Sequence, residues 1–328
     1  MKPTRNKDGR SNKSKSPEKR PRIEFDLRQL EVFSKVVELG SISSAADAVN
    51  LTQSSVSERM SNLELSIGAK LFDRVGRRIE PTALGRVLHK QALKHLALKE
   101  DTRQVIEEQM GISTGEVVMG GSTIPGEYLL PLAIKQFRDE YEGIVVRLRI
   151  MDSSLVADEV AEGVFALGVI GARCKYKHLK HEELWQDELV LAVPARHPWA
   201  KQREISAADL LNEPFVLREA GSGTRQVMEH YLSQALGNRQ PELNIAAELG
   251  SSTAVKAAVI AGMGVTVISS RAVEEEVKAG RLAVVQIDNL APPRSFYLIH
   301  DNRRNLAPVC RALRSFLLTS AKKARASA

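Results

Sequence analysis

Gly40–Leu63 reads GSISSAADAVNLTQSSVSERMSNL, and its apolar spacing sets out two short helices separated by a tight turn. Ala45, Ala46 and Val49 fall on one face of a first helix, Leu51 fills the corner, and Val56, Met60 and Leu63 repeat at i, i+4 and i+7 on a second. Ser43 and Thr52 stand where N-caps are expected, positions at which a side-chain oxygen takes up a free backbone N–H. With Val56 turned inward, Ser54, Glu58 and Ser61 occupy the opposite face, and Ser55, Ser57 and Asn62 its flanks. A short polar face without apolar side chains suits a helix laid against base edges in a major groove. A helical hairpin whose polar face meets only water has the same pattern, so the flanking sequence decides between them.

Upstream, Leu30, Phe33, Val36 and Val37 make an apolar helical stripe over Asp26–Leu39, with Gly40 as its stop. Downstream, ELSIGAKLFDRVGRRIEP carries apolar Ile67, Leu71 and Phe72, and Gly76 is placed for a turn between two short extended pieces. Lys70, Arg74, Arg77 and Arg78 against Asp73 give this turn the densest positive charge outside the N-terminal tail. Three helices followed by a basic hairpin form a winged helix, in which a helix reads bases and the wing grips phosphates. Residues 82–110 contain no Pro and one Gly, and carry a stripe of Leu84, Leu88, Ala92 and Leu96, with Val87 and Leu93 beside it; Val105, Ile106 and Met110 resume it. A helix of this length, about 40 Å, does not bury such a stripe alone. Pairing with the same helix of a second chain is expected, which presents two reading heads to a two-fold site. Gly111–Gly115, GISTG, is read as a hinge.

A length of 328 residues points to two or three domains, and 43% hydrophobic residues with few aromatics to an ordinary globular core. The polar N-terminus and the lack of a long apolar run imply neither a signal peptide nor a membrane-spanning helix, hence the cytoplasm. Two cysteines, Cys174 and Cys310, are too few for a disulfide framework. The net charge of +7 sits mostly in residues 1–25, with nine Lys/Arg against three Asp/Glu. That Lys-, Arg-, Ser- and Pro-rich tail is expected to be disordered, either a source of added phosphate affinity or a solvated extension.

Beyond residue 115 short apolar runs alternate with helical ones. Residues 116–119, 145–150, 166–170, 189–193, 215–217, 264–268 and 297–299 read as buried strands, and 129–141, 155–162, 225–235, 254–261, 271–279 and 307–318 as helices. This rhythm predicts a mostly parallel sheet covered by helices, divided into two small lobes with crossings near 183–187 and 287–294. Three loops share one chemistry: Gly120-Gly-Ser122-Thr123, Gly221-Ser222-Gly223-Thr224-Arg225 and Gly250-Ser251-Ser252-Thr253. Free N–H groups at helix starts beside hydroxyl donors suit an anion; each loop alone is better read as helix capping, and it is the three together that point to a pocket. No catalytic constellation is present: the serines lack a His or acidic partner in a recognisable order. Cys174, His178 and His181 give C-x3-H-x2-H without a fourth ligand, so neither a metal nor a cofactor is expected.

Phe25–Gly85, from FDLRQLEVFSKVVELG to RIEPTALG, resembles the N-terminal winged helix-turn-helix of LysR-type transcriptional regulators. GGSTIPGEYLLP, LVLAVPARHPWA, EPFVLREAGSGTRQV and ELGSSTAVKAAVIAGMGVTVIS resemble that family's effector domain, which has the periplasmic-binding-protein fold. The resemblance implies an all-α winged helix-turn-helix domain at 26–84, a linker and dimerisation helix with hinge at 85–114, and an α/β effector domain at 115–320 of two Rossmann-like lobes. Lobe I would take 115–185 and 293–320, lobe II 186–292, with tails at 1–25 and 321–328. It further implies a non-enzymatic homodimer or homotetramer that binds an interrupted palindrome in double-stranded DNA, acts with RNA polymerase and answers to a small molecule between the lobes.

Matching positions assign Ser43, Thr52, Gln53, Ser54, Ser55 and Ser57 to DNA, with Arg74, Arg77 and Arg78 holding the wing to the backbone. Glu58-Arg59 departs from the Arg or Lys followed by Gln of many members, and Glu accepts from cytosine N4. Ser122, Thr123, Gly171, Gly221, Ser222, Gly223, Thr224, Ser251 and Ser252 match effector-cleft positions. The GSGTR loop resembles members that sense inorganic oxyanions, especially of sulfur, or phosphorylated metabolites, so a small anion is the expected effector. The rival readings are a solute-binding or catalytic α/β protein with an accessory helical head, and a sequence-independent DNA binder driven by the tail.

Overall fold

The computed structural model describes residues 23–75, 78–109, 114–239, 242–288 and 293–326. The basic tail, Gly76, Arg77, most of the proposed hinge and residues 289–292 lie outside the described residues. The chain forms two compact units that divide between Leu96 and Ala97.

The first unit contains α1 (Leu27–Leu39), α2 (Ile42–Ala48), α3 (Gln53–Ile67), β1 (Phe72–Val75), β2 (Arg78–Pro81) and the start of α4 (Ala83–Gln109). Asp26 and Gln29 close a reciprocal capping box on α1. Gly40 ends that helix at φ 61°, a left-handed conformation that Gly adopts without penalty. Its carbonyl accepts from Ile79 N–H at 3.0 Å, which ties the end of α1 to β2. The cap of α2 is Ser41, not Ser43: Ser41 Oγ accepts from Ser44 N–H, and exposed Ser43 only exchanges a hydroxyl bond with Ser41. Ser41 and Ser43 are both plausible caps by type, and the helix starts two residues earlier than a cap at Ser43 implies. Thr52 caps α3 as expected.

Leu30, Phe33 and Val36 of α1 close with Ala45, Ala46, Val56, Met60 and Leu63 over Leu71 and Ala92. The stripe on α4 is therefore divided. Ala92, fully buried, and Leu88 turn to this core, whereas Leu84, Val87, Leu98 and Ile106 are exposed. A 100° turn per residue brings those four to one side of α4.

The second unit holds β3 (Gly115–Ser122), α5 (Leu130–Glu140), β4 (Ile144–Met151), α6 (Ser153–Glu162), β5 (Leu167–Ile170), β6 (Leu179–Pro194), β7 (Glu204–Ile205), β8 (Pro214–Arg218), α7 (Gly223–Ala235), β9 (Asn244–Leu249), α8 (Ser252–Ile260), β10 (Thr266–Ser269), α9 (Ser270–Lys278), β11 (Leu282–Ile287), β12 (Pro293–Asp301) and α10 (Pro308–Ala326). Two lobes are present, but the pairing is mixed rather than mostly parallel. In lobe I the order is β4-β3-β5-β12-β6, parallel at β3–β4 and β3–β5 and antiparallel at β5–β12 and β12–β6. In lobe II, β10 and β11 pair antiparallel with β6, β11 pairs parallel with β7, and β8 pairs parallel with β9. Val216 and Val265 backbone bonds join β8 to the segment entering β10.

The first crossing is not a linker. Strand β6 runs unbroken for 16 residues, pairing β12 up to Glu188 and β10 from Leu189. Strands β7, β9 and β11 have no counterpart among the sequence expectations. Helix α10 also runs past residue 320, and Ala321 is buried in the lobe I core.

Gly85 lies in the first turn of α4, and a Cβ there meets the Leu71 carbonyl oxygen at 2.1 Å. Gly85→Ala is expected to destabilise the first unit by about 1–3 kcal/mol, the range for overpacking, as measured by urea denaturation.

Candidate functional site

On the first unit, Thr52 Oγ1 accepts from Ser55 N–H at 3.2 Å and exchanges hydroxyl bonds with Ser54 and Ser55. Gln53, Ser54, Ser57, Glu58, Ser61 and Asn62 are exposed along one side of α3, while Ser55 and Arg59 are half-buried. The opposite side is buried through Val56, Met60 and Leu63. Lys70 is exposed, with Nζ 2.6 Å from Glu64 Oε2. The hairpin sets Asp73 opposite Glu80 and Val75 opposite exposed Arg78, and Arg74 lies in β1. Exposed Arg78 thus stands on the same hairpin as a cross-strand acidic pair, Asp73 and Glu80.

In the second unit the three hydroxyl loops converge, with residues the sequence reading missed. Ser122, Thr123, Gly171, Ser222, Gly223 and Thr224 line a small cavity of about 10 Å³ together with Asp152, Ser153, Arg218, Arg294, Ile124 and Phe296. Strand β3 ends at Ser122, Arg218 ends β8, and Arg294 and Phe296 lie on β12. Ser222 begins α7 without a side-chain cap bond, so the first N–H groups of α7 have no partner inside the helix. Those groups and the helix dipole favour negative charge. Ser251 and Gly221 do not line the cavity. Ser251 caps α8 through Ala254 N–H, and Gly221 marks a close approach of the lobes: its carbonyl accepts from Ser154 N–H at 3.2 Å, and a Cβ would meet Asp152 Oδ1 at 2.5 Å.

Two buried guanidinium groups dominate the electrostatics. Arg218, 3% exposed, pairs with Glu219 and donates through Nη1 to Thr123 Oγ1 at 2.9 Å and Ser252 Oγ at 2.6 Å, which spans the lobes. Ser252 is thereby a cleft residue held by Arg218 and by Thr123, 3.3 Å away. Arg294, 5% exposed, pairs with Asp187 and donates to Thr224 Oγ1 at 2.9 Å. Burial pushes its pKa down against the pull of Asp187, and the charge of Arg218 adds to the fall. Arg225 of the GSGTR run points elsewhere, bridging Glu229 and Glu248 at 2.7 Å each. The only sequence sign of Arg218 is a single Arg closing the apolar run FVL; nothing local marks Arg294 as buried.

Asp152 Oδ1 accepts from Leu155 N–H as the cap of α6, so this carboxylate is partly occupied. Cys174 Sγ lies 3.5 Å from His181 Nε2, and burial raises the thiol pKa. Cys310 is buried, its pKa pushed up to about 12 by burial and then by Asp101, so it is a neutral thiol. Among the described residues no trio of His, Cys, Asp and Glu is arranged to hold a metal, and no helix is long and apolar enough to cross a membrane.

A winged helix together with an α/β unit whose two lobes enclose a polar cavity is the plan of a ligand-controlled DNA-binding regulator. Residues 27–86 match the family described as bacterial regulatory helix-turn-helix proteins, lysR family, and residues 111–322 match the LysR substrate binding domain. The chain belongs to the LysR family of transcriptional regulators and is not an enzyme. It is 34% identical over 295 residues to the uncharacterized HTH-type transcriptional regulator YeiE of Escherichia coli (strain K12), covering 90% of this chain and 97% of that protein. The structure of full-length CbnR complexed with its target DNA aligns with a TM-score of 0.66 at 21% identity, over 90% of this chain and 100% of CbnR. The regulatory domain of CcmR from Synechocystis PCC6803 in complex with 2-PG aligns with a TM-score of 0.58 at 23% identity, over 63% of this chain and 97% of that one.

Arg218→Ala removes the donor shared by Thr123 and Ser252 and leaves Glu219 without its partner. A loss of about 3 kcal/mol in the stability of the second unit is expected from breaking a buried ion pair, read by thermal denaturation of the full chain.

Proposed function

We propose that this regulator binds an interrupted palindromic operator as a homodimer or homotetramer in the cytoplasm, acting with RNA polymerase, and that a small oxyanion in the interlobe cavity controls it. The observation that carries the anion reading is the pair of buried guanidinium groups, Arg218 and Arg294, facing one cavity with buried hydroxyls and the uncapped start of α7. Ser122, Thr123, Gly171, Ser222, Gly223, Thr224 and Ser252 are its proposed contacts. Sulfur oxyanions and phosphorylated metabolites fit this donor set. CcmR, a structural neighbour, binds 2-PG through its regulatory domain.

The DNA-reading assignment rests on the exposed polar side of α3, with Gln53, Ser54, Ser57 and Glu58 toward bases and Arg74, Arg77 and Arg78 toward phosphates. Thr52, Ser43, Ser55 and Arg59 support its edges. CbnR was solved on its target DNA, which supports the same use of this fold. Exposed Leu84, Val87, Leu98 and Ile106 on one side of α4 support pairing with a second copy, which removes this apolar surface from water.

Footprinting on the DNA upstream of its own gene is expected to give two protected half-sites about one helical turn apart. Uniform protection would favour the sequence-independent binder. Titration calorimetry with sulfate, sulfite, thiosulfate, phosphate and sugar phosphates is expected to detect binding; silence from all of them beside binding of a neutral or aromatic compound overturns the anion reading. Glu58→Arg is expected to change operator preference in a selection from random DNA while altering stability by less than about 0.5 kcal/mol, as for an exposed helix position.

A further inference from the structure

Asp187 and Arg294 form a buried ion pair where the two lobes join. Strands β6 and β12 carry the chain between the lobes and hold the two residues directly opposite one another. Arg294 Nε donates to Asp187 Oδ2 at 2.7 Å with Nη2 at 2.6 Å, and the side chains are 3% and 0% exposed. Apolar residues of similar volume commonly serve a core as well as a buried ion pair does, so packing alone does not account for the charges.

The two partners are unequally supplied. Asp187 Oδ1 accepts from Ser269 Oγ at 2.9 Å, and a second cation, the half-exposed Arg271, has Nε 3.7 Å away. Among the described residues Arg294 pairs with no second carboxylate. Its Nη1 donates to Thr224 at the start of α7 and its Cζ lies 4.9 Å from the Phe296 ring centre. Nη2 is buried and close to Asp187 without well-formed hydrogen-bond geometry. The guanidinium lines the cavity, and its Nη2 is held only by the charge of Asp187. An anion in that cavity and Asp187 therefore seek the same group.

We propose that Arg294 reads the charge of the effector, and that a bound anion competes with Asp187 for its guanidinium, so that occupancy is felt on the strand pair joining the lobes. Asp187 then falls to Ser269 and Arg271. This inference rests on the anionic-effector reading; a neutral ligand leaves the Asp187–Arg294 pair intact.

The test is titration calorimetry of the full chain with sodium sulfate and with inorganic phosphate at constant ionic strength. Asp187→Asn removes the competing charge but keeps the shape, and is expected to bind sulfate about tenfold or more tightly than the wild type, the scale of a like charge a few ångströms away. Arg294→Lys, which keeps a charge but loses the forked donor, is expected to bind about tenfold or more weakly. Where Asp187→Asn is too unstable to titrate, its melting temperature is the readout: sulfate is expected to raise it further than it raises that of the wild type.

Folded Asp187→Asn that binds no tighter, an equal melting shift, or Arg294→Lys with wild-type affinity overturns the role of Arg294. Wild-type binding beside such unchanged variants leaves the anion reading standing. Silence toward sulfate and phosphate in the wild type and in Asp187→Asn alike overturns both.

Discussion

The effector unit depends on the ladder between β6 and β12. Because β6 passes from one lobe to the other without interruption, neither lobe closes its sheet without a strand the other also uses. A register shift between Phe296 and Tyr297 bends that ladder beside the cavity, in the way a bulge re-aims side chains. Residues 294 and 296 are thereby placed at the cleft. A rotation of one lobe against the other must twist this same pair of strands, so a ligand that touches them acts on the hinge directly.

Around that hinge the cleft is made by small residues and a few long ones. Gly223 admits Ser153 and the backbone at 171–172 so closely that a Cβ would meet Ser153 Oγ at 2.7 Å. The lobes therefore approach until hydroxyls and guanidinium groups face each other across a cavity of about 10 Å³, room for about one water. The winged helix is built on the opposite economy: one buried side per helix, and an exposed side left polar. In the first unit specificity is presented on a surface, and in the second it is enclosed.

Much of this was legible in the residues. Period and capping fixed α1 and α3 closely, since Asp26, Gly40 and Thr52 act locally and do not wait on tertiary contacts. The three hydroxyl loops were found because they carry both glycine and helix starts. The polar half of β6, LKHEELWQDE, reads as no strand at all, since its charged side chains meet partners from distant elements, among them Arg314 of α10 on Glu182. Strand β9 is mostly exposed, so its NIAAEL lacks the apolar alternation of a core strand. Arg218 and Arg294 were missed for a related reason: one sequence shows an arginine's charge but not the carboxylate, 1 or 107 positions away, that allows it to be buried.

The contacts that bridge the lobes lie on both rims of the cleft. On one side Ser154 meets Gly221 and Gln226; on the other Thr253 donates to Glu127 and Lys256 reaches Tyr128. If a ligand enters only when one of these rims parts, lobe opening precedes binding. Effector association is then a gated process whose observed rate levels off, as ligand concentration rises, at the rate of lobe opening. How quickly the regulator responds is in that case set by weak hydrogen bonds at the rims, and how strongly it responds by the charges buried beneath them.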